Sequence, residues 1–187
     1  MFFKNRKKDA EAIAIKRLLI GLGWEARITE GVDFDLDLSA FLLTKAGRVL
    51  SDRDFIFYNQ LSSPCGTAIH SGDSLTGEGQ GDDETITLEL AKAPEHVTRI
   101  VLTVSLHDAD LREQTFGRVF GTFIRMLDLD TQAELARIDL TGQYATQTAL
   151  QVAEVYKEKN GWFFKTLGEG NADGLHGLCE QFGVHVA

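Results

Sequence analysis

The strongest constraint on the fold is a series of short segments in which apolar and polar residues alternate. Residues 18–24 and 85–90 both alternate at period two, and residues 98–106 are β-branched and mostly apolar. Strict alternation is typical of strands with one buried face, while a short continuous apolar run indicates a central strand. For the first segment, a helix over residues 9–19 is the competing interpretation.

Turn signals separate these segments at short intervals. Asn160-Gly161, which lies between apolar runs at 149–156 and 162–167, is a strong β-hairpin signal. Near the end of the chain, residues 173–182 predict a short helix that Gly183 terminates. The sequence therefore predicts about eight or nine short strands and one terminal helix, which favours a mostly β fold, an antiparallel β-sandwich with a short C-terminal helix.

Composition restricts the class of function. The chain has 187 residues, enough for one domain, and 43% of them are hydrophobic. With 19 basic against 28 acidic side chains, the net charge of −9 argues against a nucleic-acid partner, because phosphate contacts need a basic face. Cys65 and Cys179 form no CxxC motif, so we expect a reduced, cytoplasmic setting without a disulfide framework or zinc site.

The N-terminus differs from the rest of the chain. Residues 1–8 are basic, and charged side chains interrupt the segment that follows them. This pattern lacks the continuous apolar stretch of a signal peptide or a transmembrane helix. We therefore divide the chain into an atypical basic N-terminal segment, residues 1–17, and a β-sandwich domain, residues 18–187.

Residues 71–84, here called the acidic loop, contain four glycines, five carboxylates and a single apolar side chain, Leu75. Such a segment cannot enter the core and has too many glycines for a helix. Carboxylates packed this closely repel one another unless a cation lies among them, and Ca²⁺ prefers several oxygen ligands. A flexible, solvated acidic loop is the alternative. A phosphate-binding loop is excluded, because no GxGxxG motif is present and the carboxylates would repel phosphate.

A second acidic segment, residues 33–38, alternates strictly between aspartates and apolar residues. Asp33, Asp35 and Asp37 should share one face of a strand, although strands are poor in aspartate. An EF-hand is excluded, because Leu38 and Thr44 stand where the loop needs glycine and glutamate. Two interpretations remain, a solvated strand face or a pair of ligands, Asp35 and Asp37, beneath the acidic loop.

Catalytic motifs are weaker. His107 beside Asp108 could form an acid–base pair, but a lone histidine at the end of a central strand is more often structural. The histidines are scattered and no GxSxG or HExxH occurs, so we predict no catalytic residues and no transition-metal site. Two alternatives to a calcium-binding module stay open: a metal-dependent enzyme acting on a small or oxyanion substrate near the acidic loop, and a purely structural interaction protein.

The sequence resembles the TerD family, which is associated with tellurite resistance and stress response. The matching blocks run from about residue 19 to residue 184, and the acidic loop is the most specific of them. The blocks include Gly21-Leu22-Gly23-Trp24, Phe34-Asp35-Leu36-Asp37-Leu38, Phe55-Ile56-Phe57-Tyr58-Asn59, Thr76-Gly77-Glu78-Gly79, Gly81-Asp82-Asp83-Glu84, His107-Asp108-Ala109 and Gly161-Trp162.

The resemblance implies a cytoplasmic bacterial β-sandwich that binds two Ca²⁺ ions and acts as a binding or scaffold module rather than an enzyme. It implies partners among other stress-response or tellurite-resistance proteins, membrane-associated ones included. By position, the implied metal ligands are Asp35, Asp37, Asp73, Glu78, Asp82, Asp83 and Glu84, with Asn59 as a weaker candidate. Two departures from the family pattern are Gln80, where an aspartate is common, and the N-terminal residues 1–15.

Overall fold

The computed structural model describes residues 15–26, 31–77 and 81–185. Most of the N-terminal segment assigned to residues 1–17 lies outside these ranges, as do Glu78 and Gln80.

Within the described residues the chain forms ten strands and one α-helix, arranged as two five-stranded antiparallel sheets. The first sheet has the order β4-β5-β1-β7-β8 and the second β10-β9-β6-β2-β3. This confirms the antiparallel β-sandwich with a short C-terminal helix. The elements are β1 Arg17–Gly23, β2 Leu36–Leu43, β3 Phe55–Ile56, β4 Ala68–His70, β5 Glu84–Glu89, β6 Arg99–Leu106, β7 Phe123–Asp128, β8 Glu134–Asp139, β9 Ala149–Glu158, β10 Gly161–Asn171 and α1 Gly174–Phe182.

The core lies between the sheets and follows the alternation of the sequence. In β5, Ile86 and Leu88 are buried while the residues between them are partly exposed. In contrast, every residue of β2 is buried. The middle of the second sheet is covered on both faces, because α1 packs Leu178 and Phe182 against Phe41 on the outer face. The alternating strand β5 therefore belongs to the first sheet, and the mostly apolar strand β6 lies in the middle of the second.

Two segments differ in extent or type from the sequence prediction. Residues 17–23 form a strand, which decides against the competing helix for the part of 9–19 that the structure describes. Strand β10 continues to Asn171, well past residue 167. Its pairing register with β9 shifts at a bulge between Thr166 and Glu169, and the pairing resumes beyond the bulge. Gly183 ends α1 in the left-handed conformation at φ 80°, as predicted.

None of the helices in the described part of the chain has the length and apolar character needed to cross a membrane.

Candidate metal centre

The antiparallel pairing of β2 and β6 places the second acidic segment. Asp37 lies directly opposite Ser105, and the His107 N–H donates to the Asp35 carbonyl at 2.9 Å. Phe34, Leu36 and Leu38 point into the core, so Asp35 and Asp37 occupy the outer face at one end of the second sheet. Both aspartates are nevertheless buried, which excludes the solvated strand face considered above.

Two buried side chains fix the acidic loop beside β2. His70 Nδ1 accepts the Gly72 N–H at 3.0 Å, so its Nε2 donates to the Leu38 carbonyl, also at 3.0 Å. Glu84, at the other end of the loop, accepts the Leu38 N–H at 2.8 Å and the Ser74 N–H at 3.1 Å. The Leu38 N–H is available because β3 has only two residues and ends its pairing at Ala40. The loop is thereby attached to the strand that carries Asp35 and Asp37.

Asp73 completes a group that we call the carboxylate cluster, formed by Asp35, Asp37 and Asp73. One oxygen from each of the three lies within 4.8 Å of the others. Asp35 is 5% exposed and Asp37 is 3% exposed, while Asp73 is open to solvent. Asp35 Oδ1 is buried and has no hydrogen-bond partner among the described residues. A buried carboxylate oxygen without a donor requires an explanation, and a bound cation supplies one.

The electrostatics of the cluster show a shortage of positive charge. Burial, followed by the nearby charges of Glu84 and Asp35, raises the pKa of Asp37 to about 8. Burial also raises the pKa of Asp35, although His107 and Arg112 oppose that shift. Arg112 Nη1 approaches Asp35 Oδ2 at 3.4 Å, and His107 Nδ1 approaches Asp37 Oδ2 at 3.6 Å. One arginine and two histidines, His107 beside Asp37 and His70 at 3.4 Å from Glu84, therefore face a group of at least four carboxylates.

The remaining predicted ligands lie in other surroundings. The Asp82 carboxylate accepts two hydrogen bonds from Arg125, each 2.7 Å long, and Asp83 Oδ2 accepts the Trp24 N–H at 3.0 Å. Asn59 is exposed in the turn after β3. Glu78 is outside the described residues. The structure thus brings together Asp35, Asp37 and Asp73, with Glu84 bonded to the backbone beside them.

Sequence reasoning missed the basic partners of these carboxylates. Arg112 lies in the segment after β6, and Arg125 lies on β7 beside Gly21 of β1. A side chain at residue 21 would overlap the Asp82 carboxylate, so a glycine is needed there. The only sequence signal for this contact is a glycine inside an otherwise strong strand pattern.

A family model described as the TerD domain matches residues 4–182. The chain is similar to tellurium resistance protein TerD of Serratia marcescens, at 48% identity over 98% of this chain and 95% of the relative. It is 40% identical to general stress protein 16U of Bacillus subtilis, over 92% of this chain and 90% of the relative. A solved structure of a telluride resistance protein (TerD) homologue from Streptomyces coelicolor is similar with a TM-score of 0.70 and 26% identity, over 84% of this chain and 90% of that one.

Proposed function

Because the chain belongs to the TerD domain family, we propose that it is a non-catalytic calcium-binding module of the tellurite-resistance and chemical-stress response. The observation that carries this proposal is the carboxylate cluster, in which three oxygens lie within 4.8 Å of one another. Two of the three aspartates are buried, and Asp35 Oδ1 has no hydrogen-bond donor within the described part of the chain.

The donor set fits a hard cation better than a transition metal. All three groups are carboxylates, and Ca²⁺ is bound by carboxylates, carbonyls and water, whereas softer metals favour imidazole and thiolate ligands. Burial, followed by the nearby carboxylates, raises the pKa of Asp37, and a dication among Asp35, Asp37 and Asp73 would offset both effects by favouring the charged form. The exposed side of Asp73 leaves the ion room for further oxygen ligands.

The number of ions is part of the proposal. Among the described residues, one group of acidic side chains converges in this way. A second ion would draw on the acidic loop, where Asp83 has its pKa raised chiefly by burial and Asp82 is bonded to Arg125. We therefore propose that the first Ca²⁺ binds at the carboxylate cluster. That two ions bind in total stays a prediction, which the binding stoichiometry tests.

Calorimetric titration of Ca²⁺ into chelator-treated protein tests the proposal. We expect saturable binding, and at a free Ca²⁺ concentration 100-fold above Kd a gain of about 2.7 kcal/mol in the free energy of unfolding. Asp73→Asn, which changes an exposed side chain, should weaken the first site roughly tenfold or more, because ligand charge tunes Ca²⁺ affinity. Glu95→Gln is the matched control, since Glu95 is an exposed carboxylate outside the cluster.

Two outcomes would contradict the calcium proposal. One is the absence of binding heat and of any thermal shift at millimolar Ca²⁺. The other is equal loss of affinity in Asp73→Asn and Glu95→Gln, which would indicate a general effect of charge. Parallel titrations with Mg²⁺ and Zn²⁺ test the choice of metal.

We place the activity in the cytoplasm and propose that it operates through contacts with other stress-response or tellurite-resistance proteins, membrane-associated ones included. The net charge of −9 favours protein partners over nucleic acid. Growth on potassium tellurite of a deletion strain that carries the wild-type or the Asp73→Asn protein tests the link between metal and resistance. Rescue by the wild type alone is expected, and equal rescue by both would contradict a calcium-dependent role.

A further inference from the structure

A pocket of about 380 Å³ adjoins the carboxylate cluster on the outer face of the second sheet. Asp37 and its cross-strand partner Ser105 line it, and the start of α1, at Gly174, lines it as well. The next pairs along these strands are covered, because Ser39 bonds to Thr103 and α1 packs over Phe41. The pocket, here called the helix-start pocket, is therefore a part of this face that α1 leaves open beside the carboxylate cluster.

Ser105 is the observation that indicates a ligand. Its neighbours Val104 and Leu106 belong to the inner core, so the Ser105 side chain lies on the outer face with Asp37. Ser105 is 1% exposed, and its Oγ has no hydrogen-bond partner among the described residues. Native proteins rarely leave a buried hydroxyl unbonded, because such a group loses its bonds to water without replacement.

The start of α1 supplies further donors on the same pocket. The first N–H groups of any α-helix lack intrahelical acceptors, and the Asp173 side chain does not cap them here. The first backbone hydrogen bond of α1 runs from the Gly177 N–H to the Asp173 carbonyl and is 3.2 Å long. Gly174, Leu175 and His176 precede it and line the pocket.

The charges around the pocket determine which ligand fits. Among the described residues, Asp37, Asp108, Asp110 and Asp173 line it together with two histidines, His107 and His176, and no lysine or arginine does. An anion would be repelled by these carboxylates even with one dication at the cluster. A neutral ligand with several hydroxyl groups avoids that repulsion, since its O–H groups donate to carboxylates while its oxygens accept from Ser105 and bind a hard cation.

The volume of the pocket and its apolar lining residues are suited to a small-molecule ligand. Its volume falls in the range of small-molecule sites, which combine apolar walls with a few placed polar groups. Tyr58, Leu111 and Leu175 provide such walls. The C–H face of a sugar or cyclic polyol can pack against an aromatic ring while its edge makes hydrogen bonds.

We propose that the helix-start pocket binds a small polyol whose neighbouring hydroxyl oxygens join the coordination of the Ca²⁺ ion at Asp35, Asp37 and Asp73, with Ser105 donating to a ligand oxygen. This inference rests on the proposed calcium site and names the ligand class of that site. Binding of the polyol is calcium-dependent, since the cation supplies the contacts that a neutral ligand cannot obtain from carboxylates alone.

Spectra of ¹⁵N-labelled full-length protein, recorded with and without Ca²⁺, test this inference with three probes: myo-inositol, methyl mannoside and ribose. With Ca²⁺ present, at least one probe should shift the Ser105, Gly174 and His176 amides saturably. Cyclohexanol, which has a ring but one hydroxyl, and sulfate, an anion, should not. Ser105→Ala should weaken binding of the active probe about 5- to 10-fold without lowering the thermal midpoint, because the hydroxyl has no hydrogen-bond partner among the described residues of the free protein.

Ser39→Ala is the matched control, since Ser39 lies on the same face outside the pocket and should leave probe affinity unchanged. Calcium binding without a response to any of the three polyols overturns this inference and leaves the proposed function intact. Absence of calcium binding overturns both. A sulfate response equal to that of the polyols, or unchanged polyol affinity in Ser105→Ala, also contradicts the assignment.

Discussion

Among individual residues, Asp37 makes the stability of the metal-free protein depend on pH. Burial is the main cause that raises the pKa of this carboxyl from its ordinary value of 3.8 to about 8 in the fold. Between these values the folded protein holds a proton that the unfolded chain has released. Folding stability therefore falls as pH rises from about 4 to about 8, the reverse of the usual behaviour of a carboxylate.

Urea unfolding of chelator-treated protein at about pH 5 and about pH 8 measures this effect. Asp37→Asn should flatten the pH dependence, whereas Asp33→Asn, in an exposed residue of the same segment, should leave it unchanged. Saturating Ca²⁺ should also flatten it, because the cation replaces the proton. A slope of undiminished size in Asp37→Asn would show that another group is responsible, because the raised pKa values of Asp35 and Asp83 account only for a residual slope.

The sequence identified Asp35 and Asp37 for a physical reason, since strict alternation fixes which side chains share a strand face. It did not reveal that they are buried. Burial of an outer face depends on which loop packs over it, and that packing uses contacts between Leu38 and Glu84, which are 46 residues apart. Ser105 was also missed, because an unbonded hydroxyl is visible only in three dimensions.

At the level of elements, the ion pair between Asp82 and Arg125 attaches the end of the acidic loop to strands β1 and β7. The Asp82 side chain is 8% exposed and that of Arg125 is 30% exposed. Arg125→Met should destabilise the fold by about 2 kcal/mol, less than a fully buried pair, because it leaves Asp82 charged and unpaired. The further change Asp82→Asn should restore part of that loss.

Urea unfolding measures both variants, with Arg17→Met as the matched control. Arg17 pairs with Asp130 at 2.7 Å, but both side chains are largely exposed, so its removal should change stability little. Equal losses of stability in Arg125→Met and Arg17→Met would contradict the conclusion that the ion pair between Asp82 and Arg125 attaches the acidic loop to the strands. Calcium titration of Asp82→Asn tests the separate prediction that Asp82 is a metal ligand.

The strands were easier to predict than the contacts between them. Period-two alternation located β1 and β5, and the Asn-Gly signal located the turn between β9 and β10. The pairing of β1 with β7 joins segments about a hundred residues apart, and one sequence contains no information on such registers beyond matching apolar faces. For that reason Arg125 was not identified beside Asp82.

For the whole molecule, the two cysteines report on different parts of the fold. Cys179 lies on the buried face of α1, and burial raises its pKa to about 11. Burial also acts to raise the pKa of half-buried Cys65, but hydrogen bonds with Ser63 and Thr67 bring it below its usual value. Iodoacetamide at neutral pH should therefore label Cys65 in the native protein and Cys179 only after α1 opens.

Peptide mass spectrometry after timed labelling distinguishes the two sites. Native Cys65→Ser protein should stay unlabelled, and Ca²⁺ should slow labelling of Cys179 if α1 opens through global unfolding. Rapid labelling of Cys179 in the native protein would show that the helix is not stably packed on the second sheet.

The strand order also has a consequence for self-association. An unpaired strand edge can template the addition of another chain, and short or charged edge strands prevent this. Here β3 and β4, which have two and three residues, end one side of each sheet. On the other sides, β8 carries Glu134 and Arg137, and β10 carries Lys165 and is bent by its bulge. Each edge strand among the described residues is thus too short, too charged or too irregular for fibre-like stacking. We therefore expect the protein to stay unaggregated at high local concentrations, at which proteins with flat, apolar edge strands aggregate.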